Sequence, residues 1–464
     1  MPGKPIHAVV LGGGLAGMLA ASVLTEFVDK VTIIERDRFP DGPLERKGTP
    51  QGGHTHVLIA GGAHTIEQLL PGTLDTLAAH GAQRIGLPSR FLALASRGWL
   101  RRFDEAQFLI SCSRALLDWV VRGKVLRDKK ITVREGTEAV GLLGDAQRIT
   151  GAQLRDRDTQ AVEHLDADFV IDATGNTSRA PRWLVDLGLP EVTEEKIDPD
   201  IFYSTRFYRA PEGARDNFPE INIASDPITS PVLQAGVLLP IEGHRWIVTL
   251  VGPRSAKPPV DDEGFARFAR DLRHPVIADL IARAEPLTEP RQYRIPGNRR
   301  RHYEQIKPWP TSLVVLGDAA CTFNPVYGHG MAIAARCALA LQDGLRRHGL
   351  DRGGPIVQRA VARQTDLAWT MATSQDLRYP STIGPRPSRF SGIGQAFLNR
   401  LAWAATGRAA VAAAQFDVYT LSASPLRLLT PQVLLGALLG PGRPPLTEPP
   451  LTAEEWQVVG SPRG

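Results

Sequence analysis

Gly12-x-Gly14-x-x-Gly17 follows a short apolar run and opens a helix-patterned one, and an acid, Glu35, ends the next apolar run. Each position has a mechanical use. Gly12 permits a tight turn, Gly14 lets the backbone approach a pyrophosphate, and Gly17 lets helix and strand pack closely. The helix start, with Leu15 and Ala16 in its first turn, presents unpaired N–H groups to phosphate oxygens. Glu35 can accept hydrogen bonds from ribose hydroxyls. An acid there disfavours a 2′-phosphate, which leaves FAD or NAD. Arg36 follows it, and Arg46 and Lys47 in the next loop are cations placed to meet a pyrophosphate.

A second pattern lies far downstream. Leu316-Gly317-Asp318-Ala319-Ala320 follows a predicted strand, and Pro325-Val326-Tyr327-Gly328-His329-Gly330-Met331 leads into a helix. A helix starting at Gly330 aims its N–H groups and positive dipole end at negative charge, such as that of a reduced flavin. Together the two patterns resemble the fingerprints of the FAD-dependent aromatic hydroxylases. By that resemblance Asp318 binds the ribityl chain of FAD, while Pro325, Gly328, Gly330 and Met331 lie beside the isoalloxazine ring. Arg114, opening a helix in Ser113-Arg114-Ala115, matches a third feature of the class, an arginine beside the cofactor. Asp172-Ala173-Thr174-Gly175 resembles the strand-end motif of many FAD proteins, although hydroxylases usually carry Asp-Gly there. No second fingerprint for NADPH is present. The route of reduction is therefore open, with NAD(P)H as external reductant and a separate flavin reductase as a candidate partner.

The resemblance narrows to the flavin epoxidases of polyether-antibiotic biosynthesis, the lasalocid and monensin type. It rests on the loop Arg46–His56, on Ser111–Arg114, on Asn298–Tyr303, on Phe323–Met331, and on Leu446–Pro450 with Glu454-Glu455. It implies epoxidation of carbon–carbon double bonds in a hydrophobic polyketide through a flavin hydroperoxide. Gly53 stands where that family carries Arg, and Thr49 where it usually carries Val, which puts cofactor grip or reduction in question. FAD-containing [4+2] cyclases of spirotetramate and spirotetronate pathways are also similar, and there the flavin is structural. The alternative reading is thus a non-redox, decalin-forming cyclase.

Flavin chemistry asks few acids or bases of the protein. His329 is the one weak candidate for proton transfer, with His54 and His56 behind it. Val237, Leu239, Trp246, Val248 and Leu250 are candidates for an apolar substrate wall, since all fall in predicted strands.

The elements that must position these residues read as an α/β fold. A Rossmann-like, glutathione-reductase-like FAD-binding domain takes 1–85, 105–193 and 295–355. A mixed β-sheet substrate domain is inserted as 86–104 and 194–294, and a helical region and tail follow from 356 to 464. The apolar stretch Leu428–Leu439 reads as a helix docked on the body rather than a membrane contact. With 43% hydrophobic residues and a net charge of +5, the 464-residue chain has the composition of a soluble protein and no nucleic-acid module. Three cysteines without CxxC or metal-ligand spacing argue against a disulfide framework and a structural zinc site, and fit the cytoplasm. No apolar run approaches the ~20 residues of a membrane span.

Overall fold

Four apolar tetrapeptides or shorter runs, Ala8–Leu11, Val31–Ile34, Phe169–Asp172 and Leu313–Val315, are buried along nearly their whole length. Strands covered on both faces need such continuous apolar sequence. The computed structural model, which describes residues 4–46, 48–295, 297–385 and 391–460, joins them in one five-stranded sheet. Its order is Leu313–Val315, Phe169–Asp172, His7–Leu11, Lys30–Ile34, Ile131–Arg134, and all the pairings are parallel. Helices Leu15–Leu24, Arg114–Val125 and the long Gly330–Asp376 pack with this sheet in the main core. Ser113 caps the second of them, its side chain accepting from Leu116 N at 3.2 Å. The long helix is broken at Gly349, where φ is 67° and ψ 175°.

The inserted sheet has eight strands. Glu285–Pro286, Ile201–Arg209, Arg245–Pro253, Ala235–Ile241, Glu220–Ile223, Phe91–Ala95 and Gly98–Trp99 follow in that order, and Arg291–Arg294 also pairs with Ile201–Arg209. One face is covered by helices Asp262–Arg270 and Val276–Ile281, which bury Phe265, Ile277 and Leu280 against Leu238, Trp246, Val248 and Leu250. The other face turns toward the parallel-sheet domain.

Helices Ser391–Ala405, Ala409–Tyr419 and Pro431–Leu439 form a small cluster. The last docks through Val433, Gly436 and Ala437 and leaves Leu434, Leu435, Leu438 and Leu439 exposed. Among the described residues, no helix is long and apolar enough to cross a membrane. Cys112, Cys321 and Cys337 are free and buried.

Candidate active site

The first glycine turn is built by contacts that admit no side chain. Gly12 has φ +99°, and a Cβ there would lie 2.5 Å from Ala173 O. A Cβ on Gly17 would lie 1.8 Å from Gly12 O. A Cβ on Gly14 would meet nothing within 4 Å, because it faces a cavity of about 480 Å³. Gly12, Gly14, Leu15 and Ala16 line that cavity, and so do Glu35, Arg36, Arg46, Arg114, Asp318, Pro325, Gly328, Gly330 and Met331. Gly17 is packed behind it, and Lys47 lies outside the described residues.

Glu35 is buried at the end of its strand, its Oε2 accepting from Gly13 N at 2.8 Å and its Oε1 from Asp37 N at 2.9 Å. Arg46 comes within 3.3 Å of Glu35 and 3.9 Å of Asp118, and Arg114 donates to Asp118 at 2.8 Å. Arg46 Nε and Thr49 Oγ1 are buried with no hydrogen-bond partner among the described residues. Buried donors left unsatisfied are costly. The cavity thus offers open donors and two arginines around a glycine turn, a set suited to a pyrophosphate. Burial pushes the Asp318 carboxyl up, and the charges of Arg114 and Arg299 oppose that.

Two buried acids hold the turns that close the cavity. Asp172 accepts from Thr174 N at 2.9 Å, Thr174 Oγ1 at 2.6 Å and Ser178 Oγ at 2.5 Å, shaping the turn that brings Thr174, Gly175, Thr177 and Arg179 to the cavity. Asp376, at the end of the long helix, accepts from Tyr327 Oη at 2.7 Å, Asn298 Nδ2 at 2.6 Å and Asn324 Nδ2 at 3.0 Å. It thereby ties the Pro325–Met331 turn to the body of the protein. Gly328 takes φ +71° there, and a Cβ on Gly330 would meet nothing within 4 Å.

The far end of the cavity is the free face of the inserted sheet. Val237 and Leu239 line it, together with Ala235, Thr249, Val251, Asn222, Glu220 and Tyr203. Trp246, Val248 and Leu250 do not. They are fully buried on the opposite face, beneath the two covering helices. The pairing of Val237 with Thr249 and of Leu238 with Val248 fixes this phase. The expected wall mixed the two faces, because period-2 alternation groups residues without saying which group meets the core. His329 also lies off the cavity. It is buried beside it, with Nε2 3.1 Å from Tyr419 O and Nδ1 unpartnered among the described residues. His54 contacts Thr205 Oγ1 at 2.7 Å, and of the three histidines only His56 lines the cavity.

Sequence reasoning missed Glu220, Thr249, Val251 and Tyr419. Strand phase could have given Thr249 and Val251. Glu220 and Tyr419 stand in no pattern.

A parallel sheet with a glycine turn after its first strand, an acid ending the second, and a second glycine turn opening a long helix define an FAD-binding α/β fold with an inserted sheet and C-terminal helices. Residues 6–349 match the family described as FAD binding domain, and the chain belongs to that family of FAD-dependent monooxygenases. It is an enzyme with FAD as its cofactor. The chain is 30% identical over 407 residues to Protein Rv3254 of Mycobacterium tuberculosis, with 84% of each chain covered. It is 24% identical over 406 residues to kynurenine 3-monooxygenase of Xanthomonas euvesicatoria pv. vesicatoria, covering 79% of this chain and 77% of that one. A flavoprotein/dehydrogenase structure from Cytophaga hutchinsonii has a similar fold, with TM-score 0.64, 16% identity, and 93% and 96% of the two chains covered.

Proposed function

We propose that the protein transfers one oxygen atom from O2 to a carbon–carbon double bond of a long, mainly apolar polyketide, forming an epoxide. One observation carries the reading. The cavity that starts at the glycine turns ends on a sheet face where Ala235, Val237, Leu239 and Val251 surround a few polar groups, Tyr203, Glu220, Asn222 and Thr249, and no lysine or cysteine among the described residues lines it. Such a cavity suits a reaction that the cofactor performs and the protein only orients. Reduced FAD, with NAD(P)H as the ultimate two-electron reductant, would supply the oxygen-transfer chemistry when bound, the second oxygen atom of O2 leaving as water.

In this reading the backbone of Gly14, Leu15 and Ala16 takes the pyrophosphate and Arg46 and Arg114 balance its charge. Glu35 accepts from the adenosine ribose, and Asp318 holds the ribityl chain. Pro325, Gly328, Gly330 and Met331 would hold the ring, with the helix N-terminus at Gly330 offering its positive dipole end to the charge of the reduced flavin. The sheet face holds the alkene in line and keeps water out.

The test uses FAD-loaded protein with NAD(P)H, a flavin reductase and a linear polyene ketone under ¹⁸O2. The expected product carries one labelled oxygen atom. An isomer formed without oxygen uptake would instead mark a cyclisation, and unreacted polyene with all oxygen recovered as peroxide would also count against epoxidation.

A further inference from the structure

Glu220 opens the strand Glu220–Ile223 on the cavity side of the inserted sheet. Its residue is 3% exposed, and Oε2 has no hydrogen-bond partner among the described residues. Phe91 stands directly opposite on one neighbouring strand. Leu239, on the other neighbouring strand, shares its face. Neither can neutralise a charge. From helix Ala409–Tyr419 the facing titratable group is the Tyr419 phenol, pushed up by burial and by Glu220. Asn222, one step along the same face, is the only side chain among the described residues that favours the ionised form.

We propose that Glu220, flanked by Asn222 and Tyr419, is the polar anchor of the substrate end of the cavity, and that it takes a mainly apolar ligand through one uncharged oxygen function, a hydroxyl or carbonyl. This rests on the proposed function only in giving that end of the cavity to the substrate.

A lone carboxylate in such surroundings is expensive, so the group holds its proton. Burial pushes the Glu220 carboxyl up to about 8. At neutral pH it offers one O–H donor and one free acceptor oxygen. A ligand carbonyl accepts from the O–H, and a ligand hydroxyl can also donate to Oε2. A ligand carboxylate would bring a second acid to a place where no cation among the described residues acts on Glu220. An ammonium ligand would need the ionised form that burial suppresses. An unsatisfied buried acid weakens the fold unless a ligand uses it, which is the usual sign of a functional position. The anchor is also close to the cofactor turn. Tyr419 Oη lies 3.6 Å from where a Cβ on Gly328 would sit. A ligand oxygen held at Glu220 therefore sets which part of an apolar chain reaches that turn.

Three chain-matched probes decide it: 2-undecanone, undecylamine and undecanoate, titrated into FAD-loaded protein and read by the flavin difference spectrum. The ketone is expected to bind best. Its affinity should fall at least about tenfold in Glu220→Leu and stay within a few-fold in Glu220→Gln, whose amide N–H still donates. In the native protein it should weaken by up to about tenfold per pH unit above pH 8, with no such trend in Glu220→Gln. Should Glu220→Leu fail to retain FAD, the pH profiles of the native protein and Glu220→Gln give the answer alone. Tighter binding of the amine, ketone binding indifferent to Glu220 and pH, or no spectral response to any probe overturns the proposal. Ketone binding through Glu220 without oxygen transfer to the polyene would sink the epoxidase reading and leave the anchor standing. Oxygen transfer with indifference to Glu220 would do the reverse.

Discussion

His54, His56 and His329 are each pushed down to about 4 by burial, with Arg291 adding to the effect at His54 and Arg114 at His56. At His329 the hydrogen bond to the Tyr419 carbonyl opposes burial without overcoming it. All three are therefore neutral at pH 7, which suits structural hydrogen bonding better than proton delivery. In the unfolded chain each titrates near its ordinary 6.5. The unfolded state then binds more protons between these values, so the stability contributed is complete above about 6.5 and is lost as pH falls toward 4. Each histidine adds a slope of up to about 1.4 kcal/mol per pH unit. Denaturant unfolding between pH 7.5 and 4.5 should show this loss. His329→Asn, whose amide can still donate to Tyr419 O, should reduce the slope by about one proton. Equal slopes in the two proteins would mean that His329 is protonated in the fold.

At the scale of elements, the glycines of the first turn separate two demands that sequence alone merges. Gly17→Ala drives a methyl into the Gly12 carbonyl and should weaken the protein with or without FAD. Gly14→Ala finds open space within the protein. It should leave the apo-protein melting temperature within about 2 °C, a change expected of surface substitutions, and lower FAD retention at least tenfold as measured by bound-flavin absorbance. Loss of apo stability in Gly14→Ala would place the phosphate path elsewhere. The turns were legible because what they require is local: a positive φ at Gly12 or a missing Cβ at Gly17 is written in one residue. Asp318, Pro325, Gly328, Gly330 and Met331 were singled out instead by the resemblance to the FAD-dependent aromatic hydroxylases, and all five line the cavity. The substrate wall was not. Trp246, Val248 and Leu250 are apolar and share one strand face, which makes them candidates for the wall, yet the bulkiest face of a one-sided sheet belongs to its helix-covered core. Glu220 left no trace either, since a single acid becomes meaningful only when a fold strips away its partners.

Across the whole molecule, the inserted sheet is held by the tail, which begins about 150 residues beyond the sheet's last strand, Arg291–Arg294. Trp99, on the edge strand, donates its backbone N–H to Leu446 O at 3.0 Å, and the Arg101 guanidinium donates to Pro444 O at 2.7 Å. Arg102 pairs with Glu455 at 2.6 Å, the two side chains 24% and 14% exposed. Glu455 also closes the capping box of helix Ala453–Val459, and Leu451, Val458 and Val459 are buried in the cluster that holds Trp246. Each such apolar side chain contributes about 1.5–3 kcal/mol when fully buried. Three of them are a large share of a net stability of about 5–15 kcal/mol. The tail also covers a sheet edge that would otherwise be free to pair with another chain. Removing residues 441–464 should therefore speed hydrogen exchange first in strands Arg245–Pro253 and Ala235–Ile241, lower the melting temperature and promote aggregation. The parallel strands His7–Leu11 and Phe169–Asp172, buried in a different cluster, should keep their protection at temperatures where the inserted sheet has lost it. Unchanged exchange in the inserted sheet would show that its two covering helices suffice. Equal loss in both sheets would show that the tail secures the fold as one cooperative unit.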